Sequence, residues 1–257
     1  MMHYKKALVT GATSGMGEAL CYVLNDKGIP LIISGRDEKK LAELAATFKD
    51  CITVPVDLAR PDERKKLTRV IQEQAPDLVI NDAGFGLYGN VLDYSTQQQL
   101  DILEVNANAL LEISIEAARA LAAQKRKGTI LNIASAAAFF PFPAFSVYAA
   151  SKAFVKEFSQ AFDFEMAPLG IRILCACPGQ VNTKFRESAS KKEEGSGVIS
   201  KMAISKEKAV KMLWDQIEKQ IPLRVFDWRT HLMIYISRLF PIRYVQSVLQ
   251  KNILNRN

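Results

Sequence analysis

The sequence predicts an α/β fold, on three observations. Short apolar runs alternate with longer amphipathic stretches of helical spacing along most of the chain. The first apolar run leads through a glycine-rich turn straight into a helical pattern. The 257 residues are 49% hydrophobic and 24% charged, a globular balance with length for one large core, so the chain is read as a single domain over 1–257.

Ala7 to Thr10 reads as a short buried strand. Thr10 to Gly17, T-G-A-T-S-G-M-G, then opens the helical run E-A-L-C-Y-V-L. Strand, glycine turn and helix N-terminus together suit a dinucleotide pyrophosphate, because backbone N–H groups and the helix dipole both face an anion there. The candidate contacts are Gly11, Thr13, Ser14, Gly15, Met16 and Gly17. Their spacing is not the common G-x-G-x-x-G, and the turn taken alone reads equally as a loop. Leu31 to Ser34 is the second strand. Gly35 and Arg36 stand at its end, where an acidic residue would bind the ribose 2′-hydroxyl of NAD. A small residue beside a guanidinium suits the 2′-phosphate of NADP instead. The competing reading is a solvated arginine before the helix Asp37 to Phe48. Ile52 to Val56 is the third strand. Asp57, followed by Leu58, is placed either to meet the adenine amino group or to cap the turn before Pro61.

A charged helix over Asp62 to Glu73 precedes the fourth strand, Leu78 to Ile80, and the small-residue turn Asn81 to Gly84, N-D-A-G. Asn81, Ala83 and Gly84 there would let a cofactor lie against backbone. One helix is expected from Gln97 to Lys127, with Asn106 and Asn108 inside it. Mid-helix asparagines are unfavourable by propensity and need a polar partner or a task. Thr129 to Ala134 is the fifth strand. The helix from Val147 continues to Glu165 with an aromatic stripe that is core or a subunit contact. Ile171 to Cys177 is the sixth strand, ending in Pro178 to Thr183, P-G-Q-V-N-T, whose Pro178, Gly179, Val181 and Thr183 are further candidate cofactor contacts. The segment 184–205 is polar and reads as a mobile substrate loop or a plain insertion. Glu207 to Ile221 is a helix and Leu223 to Phe226 a seventh strand. The tail 230–257 is apolar and basic. It either closes the substrate pocket or docks a subunit, the favoured reading, or lies in a membrane interface.

The chemistry is expected at Ser135, Tyr148 and Lys152. Tyr148 and Lys152 are one helical turn apart, on one face. A phenol titrates at about 10, and a neighbouring ammonium is expected to lower that value toward the range useful for proton transfer. Ser135 would hydrogen-bond the substrate oxygen that Tyr148 protonates. An isolated Y-x-x-x-K is usually plain helix surface; the surrounding motifs argue otherwise.

The net charge of +7 gathers partly at the carboxyl end and points to an acidic partner such as phosphate or anionic lipid, with no nucleic acid expected. Cys21, Cys51, Cys175 and Cys177 form no metal pattern and read as free core thiols in a reducing, cytoplasmic setting. Cys175 and Cys177 share one strand face. No signal peptide, membrane span or metal site is expected.

T-G-A-T-S-G-M-G, N-D-A-G, Asn106, Ser135, Y-A-A-S-K and P-G-Q-V-N-T occur in an order and spacing that resemble the short-chain dehydrogenase/reductase family over roughly Lys5 to Thr183. The likeness is greatest to a bacterial branch of various substrate specificities. It implies one Rossmann-type domain with a doubly wound, seven-stranded parallel sheet flanked by helices. It also implies a catalytic tetrad of Asn106, Ser135, Tyr148 and Lys152, with Tyr148 as acid and base. Lys152 would lower the Tyr148 pKa and hold the nicotinamide ribose, Ser135 would fix the carbonyl, and Asn106 would support a relay water. The activity expected is NADP(H)-dependent hydride exchange between nicotinamide and a carbonyl or secondary alcohol, with a hydrophobic substrate suggested by the Phe139 to Phe145 segment and the apolar tail. A homodimer or homotetramer through the helices of Asn106 and Tyr148 is implied. Asp82 departs from the usual second asparagine of its turn, a difference expected to matter little. The rival functions are a nucleotide-sugar epimerase or dehydratase, a non-catalytic cofactor sensor and a membrane-surface binding protein.

Overall fold

The computed structural model describes residues 3–183, 185, 203–237, 239–240, 244 and 247. Seven parallel strands form one sheet: β1 (Ala7–Thr10), β2 (Leu31–Gly35), β3 (Cys51–Pro55), β4 (Leu78–Asn81), β5 (Gly128–Ile133), β6 (Ile171–Cys177) and β7 (Leu223–Val225). Their order is β3-β2-β1-β4-β5-β6-β7. Between them run α1 (Gly15–Asp26), α2 (Glu38–Thr47), α3 (Pro61–Gln74), α4 (Thr96–Leu103), α5 (Leu110–Ala123), α6 (Ser146–Met166), α7 (Lys206–Lys219) and α8 (Trp228–Ser237).

Side chains of a strand point alternately to opposite faces. Here both faces are covered at the centre of the sheet, so the central strands are mostly apolar on both faces. Ala7, Val9, Leu31, Ile33, Leu78 and Ile80 pack with Leu20 and Leu24 of α1, Leu41 and Leu44 of α2, and Leu213 and Ile217 of α7. Leu8, Ile32, Val79, Ile130 and Ile173 pack on the other face with Leu67 and Ile71 of α3, Ile113 and Leu121 of α5, and Phe162 of α6. Several helices begin where a side chain accepts an otherwise orphaned N–H: Asp37 from Lys40 at α2, and Ser205 from Lys208 at α7. Ser95 and Gln98 form a reciprocal pair at α4.

Strand order reverses between β1 and β4, which lie side by side at the centre. A crevice therefore opens beyond their carboxyl ends, the place where ligands bind in such sheets.

The expected continuous helix over Gln97 to Lys127 is instead three pieces. A π-helical turn, Glu104–Ala109, separates α4 from α5. Such a turn inserts a residue into the helical ladder and re-aims the side chains around it. Arg64 of α3 secures it. This buried guanidinium donates to the Leu58 carbonyl at 2.8 Å and reaches Glu104 at 3.0 Å and Glu112 at 2.8 Å.

Of the expected loop over 184–205, residues 184 and 186–202 lie outside the described residues, as does most of the tail beyond Ser237. Among the described residues no helix is long and apolar enough to cross a membrane, and no His/Cys/Asp/Glu group could hold a metal ion.

Arg64→Ala leaves a buried carbonyl and two carboxylates without their cation. Because both carboxylates keep partial solvent contact, a loss of about 2 kcal/mol in urea unfolding is expected, below the 3–5 kcal/mol of a fully buried pair. An unchanged midpoint overturns the assignment.

Candidate active site

Two turns meet at the crevice. A Cβ added to Gly11 would lie 2.9 Å from the backbone N and Cα of Ala83, so only glycine permits this approach, and its φ of +69° also favours glycine. A Cβ on Gly17 would lie 2.5 Å from the Gly11 carbonyl oxygen. At Gly15, also at positive φ, an added Cβ meets nothing within 4 Å. Ser14, the N-cap of α1, is exposed and its hydroxyl makes no capping bond. An open, donor-rich cradle at a helix N-terminus fits a pyrophosphate. Gly35 packs against Thr13, where a Cβ would come within 2.8 Å of the threonine methyl. Arg36 beside it is exposed.

The other candidate cofactor contacts divide by what their side chains already do. Met16 and Val181 pack on the core, and Leu58 is buried in it. Asp57 accepts the Ala59 N–H at 3.1 Å, so it makes the turn expected before Pro61. The Asn81 amide is committed inward, donating to Asn132 at 2.9 Å and Ser114 at 3.1 Å, and leaves only backbone to the crevice. Asn132 in turn donates to Ser159 of α6 at 2.9 Å, so a buried polar chain crosses from β4 to α6. The Pro178 carbonyl accepts from Ala136 N–H at 2.8 Å, which draws the turn after β6 onto the turn after β5. Gly179 and Thr183 flank Val181, whose segment is held by a parallel bridge to Ile204.

Asn106, Ser135, Tyr148 and Lys152, the four residues expected to act together, lie near one another at the crevice. Ser135 caps a short 3₁₀ turn, Ala136–Phe139, its hydroxyl accepting from Ala137 N–H at 3.1 Å, and that hydroxyl is near enough to the Tyr148 phenol to favour its ionised form. Lys152, one turn on along α6, is buried. Its Nζ donates to the Ile133 carbonyl at 2.7 Å and lies 5.8 Å from the Tyr148 ring centroid. Asn106 sits on the π turn, fully buried. Its amide accepts from Phe85 N–H at 3.0 Å, donates to the Phe85 carbonyl at 2.9 Å and donates to Ser151 at 3.0 Å. The polar task of the mid-helix asparagine is thus to clamp the chain after the N-D-A-G turn. Asn108 has a surface role, donating to Glu104 at 2.9 Å.

The electrostatics differ from expectation. Burial pushes the Tyr148 phenol up to about 12, the Ser135 hydroxyl opposing it. The lysine does not offset this, because its own burial brings it down to about 8. The burial has a visible source: Phe145 stacks on Tyr148 at 4.2 Å between centroids, and Phe185 lies 5.6 Å away on tilted planes. Both lie outside the Tyr-x-x-x-Lys motif.

Asp82 is the residue the sequence undervalued. Its Oδ2 accepts the Gly17 N–H at 2.7 Å, at the N-terminus of α1, and its Oδ1 is buried without a hydrogen-bond partner. Burial raises this carboxyl to about 6, opposed by the Gly17 bond and by the Lys152 charge. Asp82 in turn favours the charged form of Lys152. The signal available in sequence was the acid in N-D-A-G itself, facing a helix N-terminus across the switch point.

A carboxyl raised in the folded state costs stability as pH rises through the window from its ordinary value, near 4, to about 6. Asp82→Asn removes that titration and keeps an acceptor for Gly17. The stability of the variant relative to wild type, from urea midpoints, is expected to grow by about 1–3 kcal/mol between pH 4 and 6 and to stay level above. A difference that is flat, or falls, across that window refutes the assignment.

A family model described as short chain dehydrogenase matches residues 5–194. A Staphylococcus aureus (strain MW2) protein named an uncharacterized oxidoreductase is 32% identical over 183 residues, 70% of this chain and 79% of the relative. A short-chain dehydrogenase from Sphingobium yanoikuyae, solved in complex with NADPH, superposes with a TM-score of 0.79 at 25% identity, covering 86% of this chain and 87% of that one. A 4-hydroxyisoleucine dehydrogenase complexed with NADH shares the fold, with a TM-score of 0.77 at 24% identity and coverage of 87% and 97%. With the sheet order, the glycine cradle and the extent of these matches, the chain belongs to the short-chain dehydrogenase family and is an oxidoreductase of the hydride-transferring kind.

Proposed function

We propose that the protein exchanges hydride between NADP(H) and a carbonyl or secondary alcohol of an apolar substrate, with Tyr148 as the proton carrier. The observation that carries this reading is the buried Tyr148 phenol with the Lys152 amine 5.8 Å from its ring on the same helix face, beside the glycine cradle. A bound reduced nicotinamide supplies the hydride. Ser135 holds the substrate oxygen. Tyr148 donates its proton to that oxygen as negative charge develops there. A phenol at about 12 keeps its proton at neutral pH and is suited to act as the acid in the reductive direction. Lys152, brought down to about 8 by burial, can take up or release a proton near neutral pH. Asn106 holds the Phe85 backbone, and with it the wall opposite the phenol.

The substrate preference rests on that wall. Tyr88 and Phe142 meet Phe145 edge-on at 5.8 and 6.4 Å, and Phe145 stacks on Tyr148. An aromatic lining favours an apolar group beside the carbonyl. The cofactor preference rests on Gly35 and Arg36. Asp37, the nearby acid, spends its Oδ1 on capping α2 at 2.9 Å. The exposed Arg36, with no ion pair among the described residues, offers a cation for a 2′-phosphate. The Sphingobium relative solved with NADPH supports this choice. Pairing of subunits through α4 and α6 is supported by Leu100, Leu103, Phe154 and Phe164, all exposed on those helices.

Tyr148→Phe is expected to lower turnover of a good ketone about 100- to 10,000-fold, with cofactor affinity nearly kept, followed by absorbance of the reduced nicotinamide. Turnover at the wild-type rate removes Tyr148 from the mechanism. Arg36→Ala is expected to weaken NADPH binding tenfold or more and leave NADH almost unaffected, by fluorescence titration. Equal weakening of both denies Arg36 the 2′-phosphate.

A further inference from the structure

The helix that follows β7, α8, is built the wrong way round for a surface helix. Only Thr230 and Ile234, one turn apart, are buried. Ile234 packs with Ala134 and Cys177, and Thr230 stands by the turn at Gly179. The opposite face carries Trp228, Leu232, Tyr235 and Ile236, at spacings of four, seven and eight, with exposures of 69%, 50%, 63% and 43%. A surface helix normally turns its apolar stripe inward and its charges outward. Here the outward stripe is the apolar one. Arg229 stands at its border, with its guanidinium 5.7 Å from the Trp228 ring.

Charge decides between occupants. Asp227 is the last acidic residue of the chain, and from Trp228 to Asn257 the sequence holds Arg229, Arg238, Arg243, Lys251 and Arg256 against no Asp or Glu. A second copy docked on the same face would bring two cation-only segments together, which costs rather than gains. An anionic lipid surface accepts both features: the apolar stripe with its Trp and Tyr enters the headgroup boundary, and the cations meet phosphate.

We infer that α8 docks the protein peripherally on an anionic lipid surface, with Trp228, Leu232 and Ile236 as the inserted side chains. The inference stands apart from the proposed reaction, since it needs neither cofactor nor turnover. The test sediments the full-length chain with vesicles of phosphatidylcholine alone and of phosphatidylcholine with an equal part of phosphatidylglycerol. Binding is expected at least tenfold stronger to the anionic vesicles and weakened by 0.5 M salt. Trp228→Ser/Leu232→Ser/Ile236→Ser is expected to lose that binding tenfold or more with its oligomeric mass, by light scattering, unchanged. The unaltered chain gives a second reading: of its two tryptophans, Trp228 is the strongly exposed one, and its emission is expected to shift to the blue on adding anionic vesicles. The inference is overturned by absent binding, by equal binding to neutral vesicles, by a variant that binds like wild type, or by a loss of oligomeric mass in the variant, which would make a second copy the occupant.

Discussion

The contact on which the rest depends is backbone against backbone: the turn after β1 lies on the turn after β4, at a distance that leaves no room for a Cβ on Gly11. Strand order reverses at this point, so the two turns must share one crevice. Everything with a chemical task is hung from them. The first turn delivers the N-terminus of α1. The second delivers Asp82 to Gly17 and passes Phe85 to the Asn106 clamp. The next strand over, β5, supplies both the carbonyl that anchors Lys152 and the approach to Ser135.

Within that frame a balance of buried charges replaces the simple pairing of phenol and ammonium. Tyr148 is kept protonated by its aromatic walls, Lys152 is pulled toward neutrality, and Asp82 is pulled toward the protonated acid. Three titratable groups thus have their values moved by one cause, exclusion from water, and two of them restrain each other. Groups displaced toward neutrality from both sides are what a proton-transferring site requires.

Much of this was legible in the chain itself. The strands are short, mostly apolar runs, and the helices follow as stretches of helical spacing, with Asp37 opening α2 and Pro61 standing at the start of α3. What could not be read depends on partners distant in sequence. The π turn exists because Arg64 grips Glu104 and because Asn106 meets Phe85, neither of which leaves a local trace. The rise in Tyr148 follows from burial against Phe145 and Phe185, which the fold brings to the ring. Asp82 looked like a neutral exchange for asparagine, yet the difference of one ionisable oxygen matters because Gly17 and Lys152 are its neighbours only in three dimensions. Asn81 shows the reverse: a residue whose motif suggests a ligand, while its amide belongs to the interior.

That interior amide has a consequence for how the sheet can form. Asn81 and Asn132 lie opposite each other in the β4–β5 pairing, and Ser114 and Ser159 bond their amide groups from the two helices behind. Sliding one strand by a single residue would turn an amide toward the opposite, largely apolar layer and strand its partner. The polar chain therefore works as a lock on alignment: a misregistered sheet is penalised at its very centre, before any helix has had to close over it.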